Sequence, residues 1–273
     1  MQHRHIAFIG AGNMSRSIIS GMCNSGYPAI NIIASNPSMP KLDALKSDFS
    51  IQITQQNQQA VEQAQVVVLA VKPQLMETMC AALKDSVALD GKLFISIAAG
   101  IDTARLSELL GGQNNIIRTM PNTPSSLGKG MTGLYAPSSV SQQDREYAGD
   151  LMSQVGEIAW VEKESMINGV IAAAGSSPAY FYAFLEAMQK ETQNQGFDQQ
   201  TARLLVQQAM LGAAEMVCHN PQLEISELRA QVTSKGGTTA KAVEHFQENG
   251  IDKLVSGAMR AAVTRAEEMA KLF

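Results

Sequence analysis

Along the first part of the chain, short, mainly apolar runs alternate with longer stretches in which apolar residues return every three or four positions. The runs fall at residues 6–9, 30–34, 66–71, 93–98 and 116–119. A strand that is apolar on both faces belongs where both faces are covered, which is the situation in a parallel sheet flanked by helices. The stretches at 40–47 and 75–83 have helical periodicity, and in the second Leu75, Met79, Ala82 and Leu83 fall on one face. Two further β-prone pieces, 131–136 and 157–161, are expected to extend the sheet at its far edge. Strand and helix in this alternation predict an α/β fold: a doubly wound Rossmann domain.

After about residue 162 the texture changes, and only helical periodicity continues to the end. Leu205, Ala209, Gly212 and Met216 repeat at four, three and four residues and make a narrow face of mostly small side chains. Small residues cluster again at 172–175, 213–214 and 258–262, which suits close approach of helices. The expectation is a dinucleotide-binding domain over 1–162 followed by an all-helical domain over 163–273. A helical domain this rich in alanine and methionine is expected to bury one face against a copy of itself, making a homodimer. No low-complexity linker and no internal repeat interrupts the chain.

Composition changes the picture mainly by exclusion. Of 273 residues, 45% are hydrophobic and 17% charged, an ordinary globular balance. A formal net charge of −4 with no basic run argues against a nucleic-acid partner. Cys23, Cys80 and Cys218 are widely spaced and odd in number, and His3, His5, His219 and His245 have no metal-ligand spacing, so neither disulfides nor a metal is expected. No apolar run approaches the roughly 18 residues that span a bilayer, and the apolar start at 6–9 runs directly into glycines rather than reading as a secretory signal. A cytoplasmic protein without a membrane partner is the expectation.

The first candidate for chemistry is Gly10-Ala11-Gly12-Asn13-Met14-Ser15, which follows a predicted strand and opens a predicted helix. Gly10 permits a tight turn, and Gly12 removes a side chain where a pyrophosphate would approach the free N–H groups of Asn13 and Met14. The second strand ends at Ser35-Asn36, with no Asp or Glu there to bind a ribose 2′-hydroxyl. Ser35, Asn36 and Lys41 offer hydrogen bonds and a positive charge to a 2′-phosphate instead, so NADPH is expected over NADH. The alternative is that they are only turn and capping residues. Val71-Lys72-Pro73, Ala98-Ala99-Gly100 and Pro121-Asn122 each follow a predicted parallel strand, at the carboxyl edge where ligands lie in such sheets.

The second candidate is Thr233-Ser234-Lys235-Gly236-Gly237-Thr238-Thr239, which interrupts the helical region and leads into a new helix. A helix cap would need one hydroxyl and one glycine. The fuller cluster supplies several N–H groups, a helix N-terminus and hydroxyls, which suits a small carboxylate.

These motifs, together with Arg118-Thr119-Met120-Pro121-Asn122-Thr123-Pro124 and Gly175-Ser176-Ser177-Pro178-Ala179-Tyr180, occur in an order that resembles pyrroline-5-carboxylate reductase over essentially the whole chain. The resemblance implies NAD(P)H-dependent reduction of 1-pyrroline-5-carboxylate to L-proline. It also implies interleaved helical domains in a dimer, often assembled into a decamer. It assigns the substrate carboxylate to Gly236, Gly237 and Thr238, with Lys235 beside them, and matches Thr239 to the threonine whose hydroxyl lies near the ring nitrogen. Lys235 stands where the family usually has Pro, Ser177 where Gly is common, and Pro37 where Arg usually follows Asn36. A protonated cyclic imine is already electrophilic, so its reduction requires positioning rather than a strong general acid. Two rivals remain at this level. A β-hydroxyacid dehydrogenase would carry a catalytic Lys early in the second domain, and 172–186 contains none. An NADPH-binding regulator without turnover would have no need of an intact Gly236–Thr239 loop.

Overall fold

The computed structural model describes residues 3–272. By contact it divides into two compact units, residues 1–176 with 261–273, and residues 177–260. The change of texture at 162–163 therefore precedes the unit boundary. Residues 163–176 pack with the sheet, and the end of the chain returns to it.

The first unit is built on an eight-stranded sheet in the order β3-β2-β1-β4-β5-β6-β7-β8. Its strands are β1 (Ile6–Ile9), β2 (Ile32–Ser35), β3 (Gln52–Thr54), β4 (Val66–Leu69), β5 (Leu93–Ser96), β6 (Ile116–Met120), β7 (Gly130–Tyr135) and β8 (Gly156–Trp160). β1 to β6 are parallel, β7 runs antiparallel to β6, and β8 is parallel to β7. β1, β2, β4 and β5 are buried at every position, including the serines that end β2 and β5, as their predominantly apolar character requires.

Alternation sorts the side chains of these strands into two cores. Ile6, Phe8, Val66, Val68 and Ile95 meet Ile18, Ile19 and Met22 of α1 (Asn13–Asn24) and Leu42 and Leu45 of α2 (Met39–Phe49). Ala7, Ile9, Val67, Leu69 and Phe94 face the other way. They meet α3 (Asn57–Gln63), α4 (Met76–Lys84) and α5 (Thr103–Leu109). α6 (Gln142–Ser153) joins the first core through Ala148, Leu151 and Met152. Burying a side chain of this size contributes roughly 1.5–3 kcal/mol, so each helix is held mainly by its apolar stripe.

Several local expectations shift. The run at 30–34 starts in a 3₁₀ turn, Ala29–Asn31, so Ile30 is exposed and the strand begins at Ile32. Strands β4 and β5 stop at Leu69 and Ser96, two residues short of the apolar runs, because the remaining residues form loops at the sheet edge. A 3₁₀ turn at Pro73–Leu75 rotates the following helix, so that α4 buries Met76, Met79, Cys80 and Leu83 while Leu75 and Ala82 face solvent. β3 carries two polar residues in three positions and lies at the sheet edge, where nothing demands an apolar run.

At the amino ends of the strands, Arg4 ion-pairs with Asp144 and lies over the Tyr147 ring at 4.5 Å. Tyr27 donates to the Arg4 carbonyl at 2.6 Å, and its hydroxyl lies 2.8 Å from that of Tyr147. Burial pushes both phenols up. Burial would also raise the Asp144 carboxyl, but hydrogen bonds from Arg4, Asn115 and Ser141 and the Arg4 charge hold it below its usual value.

α7 (Met166–Val170) leads into a π-helical turn, Ile171–Gly175, closed by Ser176 N–H donating to the Ile171 carbonyl at 2.7 Å. A small third core joins Ile167 and Ile171 to Ala266. The helical unit comprises α8 (Ser177–Asn194), α9 (Gln199–His219), α10 (Ile225–Gln231), α11 (Thr238–Glu248) and the beginning of α12 (Ile251–Ala270). Little of it is buried. Ala202 and Val206 are the buried residues of α9, whereas Leu205 and Met216, on its predicted small-residue face, are 48% and 53% exposed.

Candidate functional site

Strand order reverses between β1 and β4, and the loops after both lie at the carboxyl edge of the sheet. Such a reversal opens a crevice, because the loops of the two neighbouring strands depart to opposite faces. Gly10 turns the chain at φ +112°, and a Cβ there would lie 2.6 Å from the Ala70 carbonyl oxygen, so only glycine fits. The same residue is pinned by two hydrogen bonds, and a third holds the chain beside it. Its N–H donates to the Ser35 carbonyl at 2.8 Å, its carbonyl accepts from the buried Ser15 hydroxyl at 2.6 Å, and Ala70 N–H donates to the Ile9 carbonyl at 3.0 Å.

Gly12 behaves differently. Its backbone is ordinary extended chain, φ −80° and ψ 178°, and a Cβ added to it meets nothing within 4 Å. It is the N-cap of α1 and makes no side-chain cap, so the first N–H groups of the helix, those of Asn13, Met14 and Ser15, are left for another acceptor. A buried main chain shaped by Gly10, an open approach at Gly12 and an uncapped helix N-terminus together fit a pyrophosphate.

The other expected wall residues lie at the same edge. Asn36 follows β2 and its Oδ1 accepts from Ala11 N–H at 3.2 Å, tying the end of β2 to the glycine loop. Ser35 is fully buried and donates to Asn57 Oδ1 at 2.6 Å, so its hydroxyl points to the start of α3. Lys41 is exposed on α2. Val71, Lys72 and Pro73 follow β4, with Lys72 exposed and Pro73 opening the 3₁₀ turn. Ala98, Ala99 and Gly100 follow β5, with Ile97 N–H donating to the Leu69 carbonyl at 3.2 Å. Pro121 and Asn122 follow β6 and are buried. The Asn122 amide braces its surroundings. Its Nδ2 donates to the Ala174 carbonyl at 3.0 Å and its Oδ1 accepts from Met131 N–H at 2.9 Å.

In the helical unit, α10 ends at Gln231 and α11 starts after Gly237, whose N–H donates to the Ser234 carbonyl at 3.0 Å. Gly236 takes φ +75°, and Gly237 caps α11 without a side chain. Lys235, Gly236, Thr238 and Thr239 are exposed, while Thr233 donates to the Arg229 carbonyl at 2.6 Å. This second uncapped N-terminus, flanked by two threonine hydroxyls, can accept a carboxylate. Ser177 opens α8.

Family models match the chain in two places. One described as NADP oxidoreductase, coenzyme F420-dependent, covers residues 5–100, and one described as pyrroline-5-carboxylate reductase dimerisation covers residues 164–269. Curated relatives match end to end. The pyrroline-5-carboxylate reductase of Vibrio alginolyticus is 56% identical and that of Haemophilus influenzae 48%, each over 100% of both chains. The chain belongs to the pyrroline-5-carboxylate reductase family. Solved members of that family superpose closely. The Coxiella burnetii enzyme gives a TM-score of 0.91 at 39% identity, covering 98% of this chain and 99% of that one. The Plasmodium falciparum enzyme, solved with NADP bound, gives 0.88 at 27%, covering 99% of each. Membership makes the chain an oxidoreductase with a Rossmann nucleotide-binding domain and a helical dimerisation domain.

Two contributors near the site carry no signal in the sequence pattern. Asn57 holds Ser35 from 22 residues away. Glu164 accepts from both the N–H and the hydroxyl of Thr103 at 2.8 Å, and Arg118 lies 3.3 Å from the same carboxylate. Polar residues in loops look alike until the fold brings their partners to them.

Proposed function

We propose that this chain reduces 1-pyrroline-5-carboxylate to L-proline, with NADPH preferred over NADH, as a homodimer formed through its helical unit. The observation that carries the reading is the pair of uncapped, glycine-opened helix N-termini, at α1 and at α11, in a chain that matches named reductases from end to end. One suits a pyrophosphate and the other a small carboxylate, and an imino-acid reductase has to hold both.

NADPH supplies a hydride to the imine carbon and leaves as NADP⁺. The C=N π electrons pass to the ring nitrogen, which keeps the proton it carried as an iminium, so the product is the secondary amine. The residues of this chain hold and orient. Gly12, Asn13 and Met14 receive the pyrophosphate, with Val71, Lys72, Pro73, Ala98, Ala99, Gly100, Pro121 and Asn122 as the surrounding wall. Asn36, with Lys41 nearby in sequence, receives the 2′-phosphate. Because Ser35 already donates to Asn57, its part is to hold the end of β2 rather than to offer a free hydroxyl. Lys235, Gly236, Gly237 and Thr238 receive the carboxylate, and the Thr239 hydroxyl hydrogen-bonds the ring nitrogen. The exposed apolar side chains of the helical unit, Phe181, Phe184, Leu204, Leu205, Leu211 and Met216, support burial against a second copy.

The test is oxidation of NADPH and of NADH, followed by absorbance with 1-pyrroline-5-carboxylate as substrate, with sedimentation in parallel. Substrate-dependent oxidation with higher kcat/KM for NADPH supports the reading. Absence of turnover despite dinucleotide binding would replace it with the regulatory alternative.

A further inference from the structure

The segment 98–102 leads from β5 to α5 through a turn at residues 99–100, and among the described residues no side chain hydrogen-bonds to residues 99–101. Beyond that turn, its conformation is set by packing and by what holds its ends. At the start, Ala98 N–H reaches the Ser96 hydroxyl at 3.3 Å. In the middle, Ile101 is buried in the second core and Gly100, at φ +79°, lies against the last turn of α12, where an added Cβ would come within 3.0 Å of the Met269 Cβ. At the far end stands Thr103, gripped by one carboxylate through both its N–H and its hydroxyl.

We propose that Glu164 is a positioning residue for the dinucleotide site, fixing the 98–102 segment through Thr103 with its own carboxylate held in place by Arg118. The proposal rests on the reading of Ala98, Ala99 and Gly100 as part of the cofactor wall. Three donors converge on this carboxylate, and they come from elements far apart in sequence: Thr103 at the start of α5 and Arg118 in β6, 61 and 46 residues away. The Arg118 side chain is 6% exposed and that of Glu164 20%. A buried ion pair contributes little net stability, but it imposes one geometry on what it touches. Capping of α5 does not require Glu164, because Asp102 already accepts from Arg105 N–H at 2.7 Å. What Glu164 adds is the register of Thr103, and hence the path of the residues before it.

Loss of that hold lets the segment leave its binding arrangement, and the apparent affinity falls by the fraction of time spent in it. The experiment compares the wild-type chain with Glu164→Gln, Thr103→Val and Thr103→Ser, measuring NADPH dissociation constants calorimetrically and amide exchange over 98–103 with and without NADPH. Substrate and cofactor KM are determined alongside. Thr103→Val removes only the hydroxyl donor, and Thr103→Ser restores it, so neither relies on a variant that fails to fold. Glu164→Gln and Thr103→Val are expected to weaken NADPH binding about tenfold, raise KM for NADPH and speed exchange at 98–103 in the free protein. KM for the imine should stay within about twofold, and Thr103→Ser should bind as wild type does. Wild-type exchange that NADPH does not slow at 98–100 would remove those residues from the cofactor wall. With wild-type protection present, NADPH affinity within about twofold of wild type in both Glu164→Gln and Thr103→Val overturns the positioning role.

Discussion

Two glycines two residues apart make opposite demands, and alanine substitution separates them. At Gly10 a methyl group would have to coexist with the Ala70 carbonyl oxygen at 2.6 Å and its carbon at 2.9 Å, at a φ of +112° that L-residues rarely adopt. The backbone strain costs about 1–3 kcal/mol and the forced displacement of residues 70–71 about as much again. Reduced freedom of the unfolded chain returns only about 0.4–1 kcal/mol. Gly10→Ala is therefore expected to destabilise by about 2–4 kcal/mol, seen as a fall of roughly 5–10 °C in the unfolding midpoint. At Gly12 the backbone angles suit any residue and the space is empty. Loss of a favourable N-cap costs up to about 1 kcal/mol, and the unfolded-state entropy offsets roughly the same amount, so Gly12→Ala should unfold with nearly the wild-type midpoint. Its methyl group, however, stands where a phosphate must come within hydrogen-bond distance of the α1 N–H groups. Two charge-assisted bonds lost amount to about 3 kcal/mol, or more than a hundredfold in the dissociation constant for NADPH. Thermal unfolding and calorimetric titration of both variants decide the matter. A Gly12→Ala protein that binds NADPH normally, or that unfolds as early as Gly10→Ala, would refute this account of the loop.

Other expectations follow from the same geometry. Asn36→Asp keeps the acceptor for Ala11 N–H but sets a negative charge beside a 2′-phosphate, so the ratio of kcat/KM for NADH to that for NADPH should rise at least about tenfold. Thr239→Ala, which removes an exposed hydroxyl and leaves the start of α11 uncapped as before, should lower kcat/KM by about tenfold without shifting the unfolding midpoint; unchanged kinetics would remove Thr239 from the reaction. Asp144 titrates below its unfolded value when folded. The stability it contributes is thus complete above about pH 4 and lost as the pH falls through the folded value, and stability of Asp144→Asn should depend less on pH across that acid range. Burial pushes the Cys80 thiol up to about 12, and thiol reagents at pH 8 should modify it only after unfolding.

Much of the scaffold was legible in the amino-acid sequence because its determinants are local. The runs at Ile6–Ile9 and Val66–Leu69 are apolar at every position and that at Leu93–Ser96 at all but its last, and a strand buried on both faces is what accepts such a pattern. The glycine loop announced itself because a turn at φ +112° followed by a helix start admits few residue types. The paired glycines and threonines before α11 were equally plain. Three kinds of feature were not legible. Strand β3, with Gln52 and Thr54 around Ile53, exists because β2 offers an edge to pair with, and the reversal of β7 is a property of pairing rather than of residue type. The buried face of α4 is set by a 3₁₀ turn that carries Leu75 into solvent and Met76 into the core, a rotation that periodicity alone does not register. The hold of Glu164 on Thr103 and that of Asn57 on Ser35 join residues 61 and 22 apart. The chain's own chemistry thus determined which segments could be strands, helices and ligand loops. Which polar side chain meets which was decided only by the folded structure, because a hydrogen bond between distant residues exists only once the intervening chain has been closed around it.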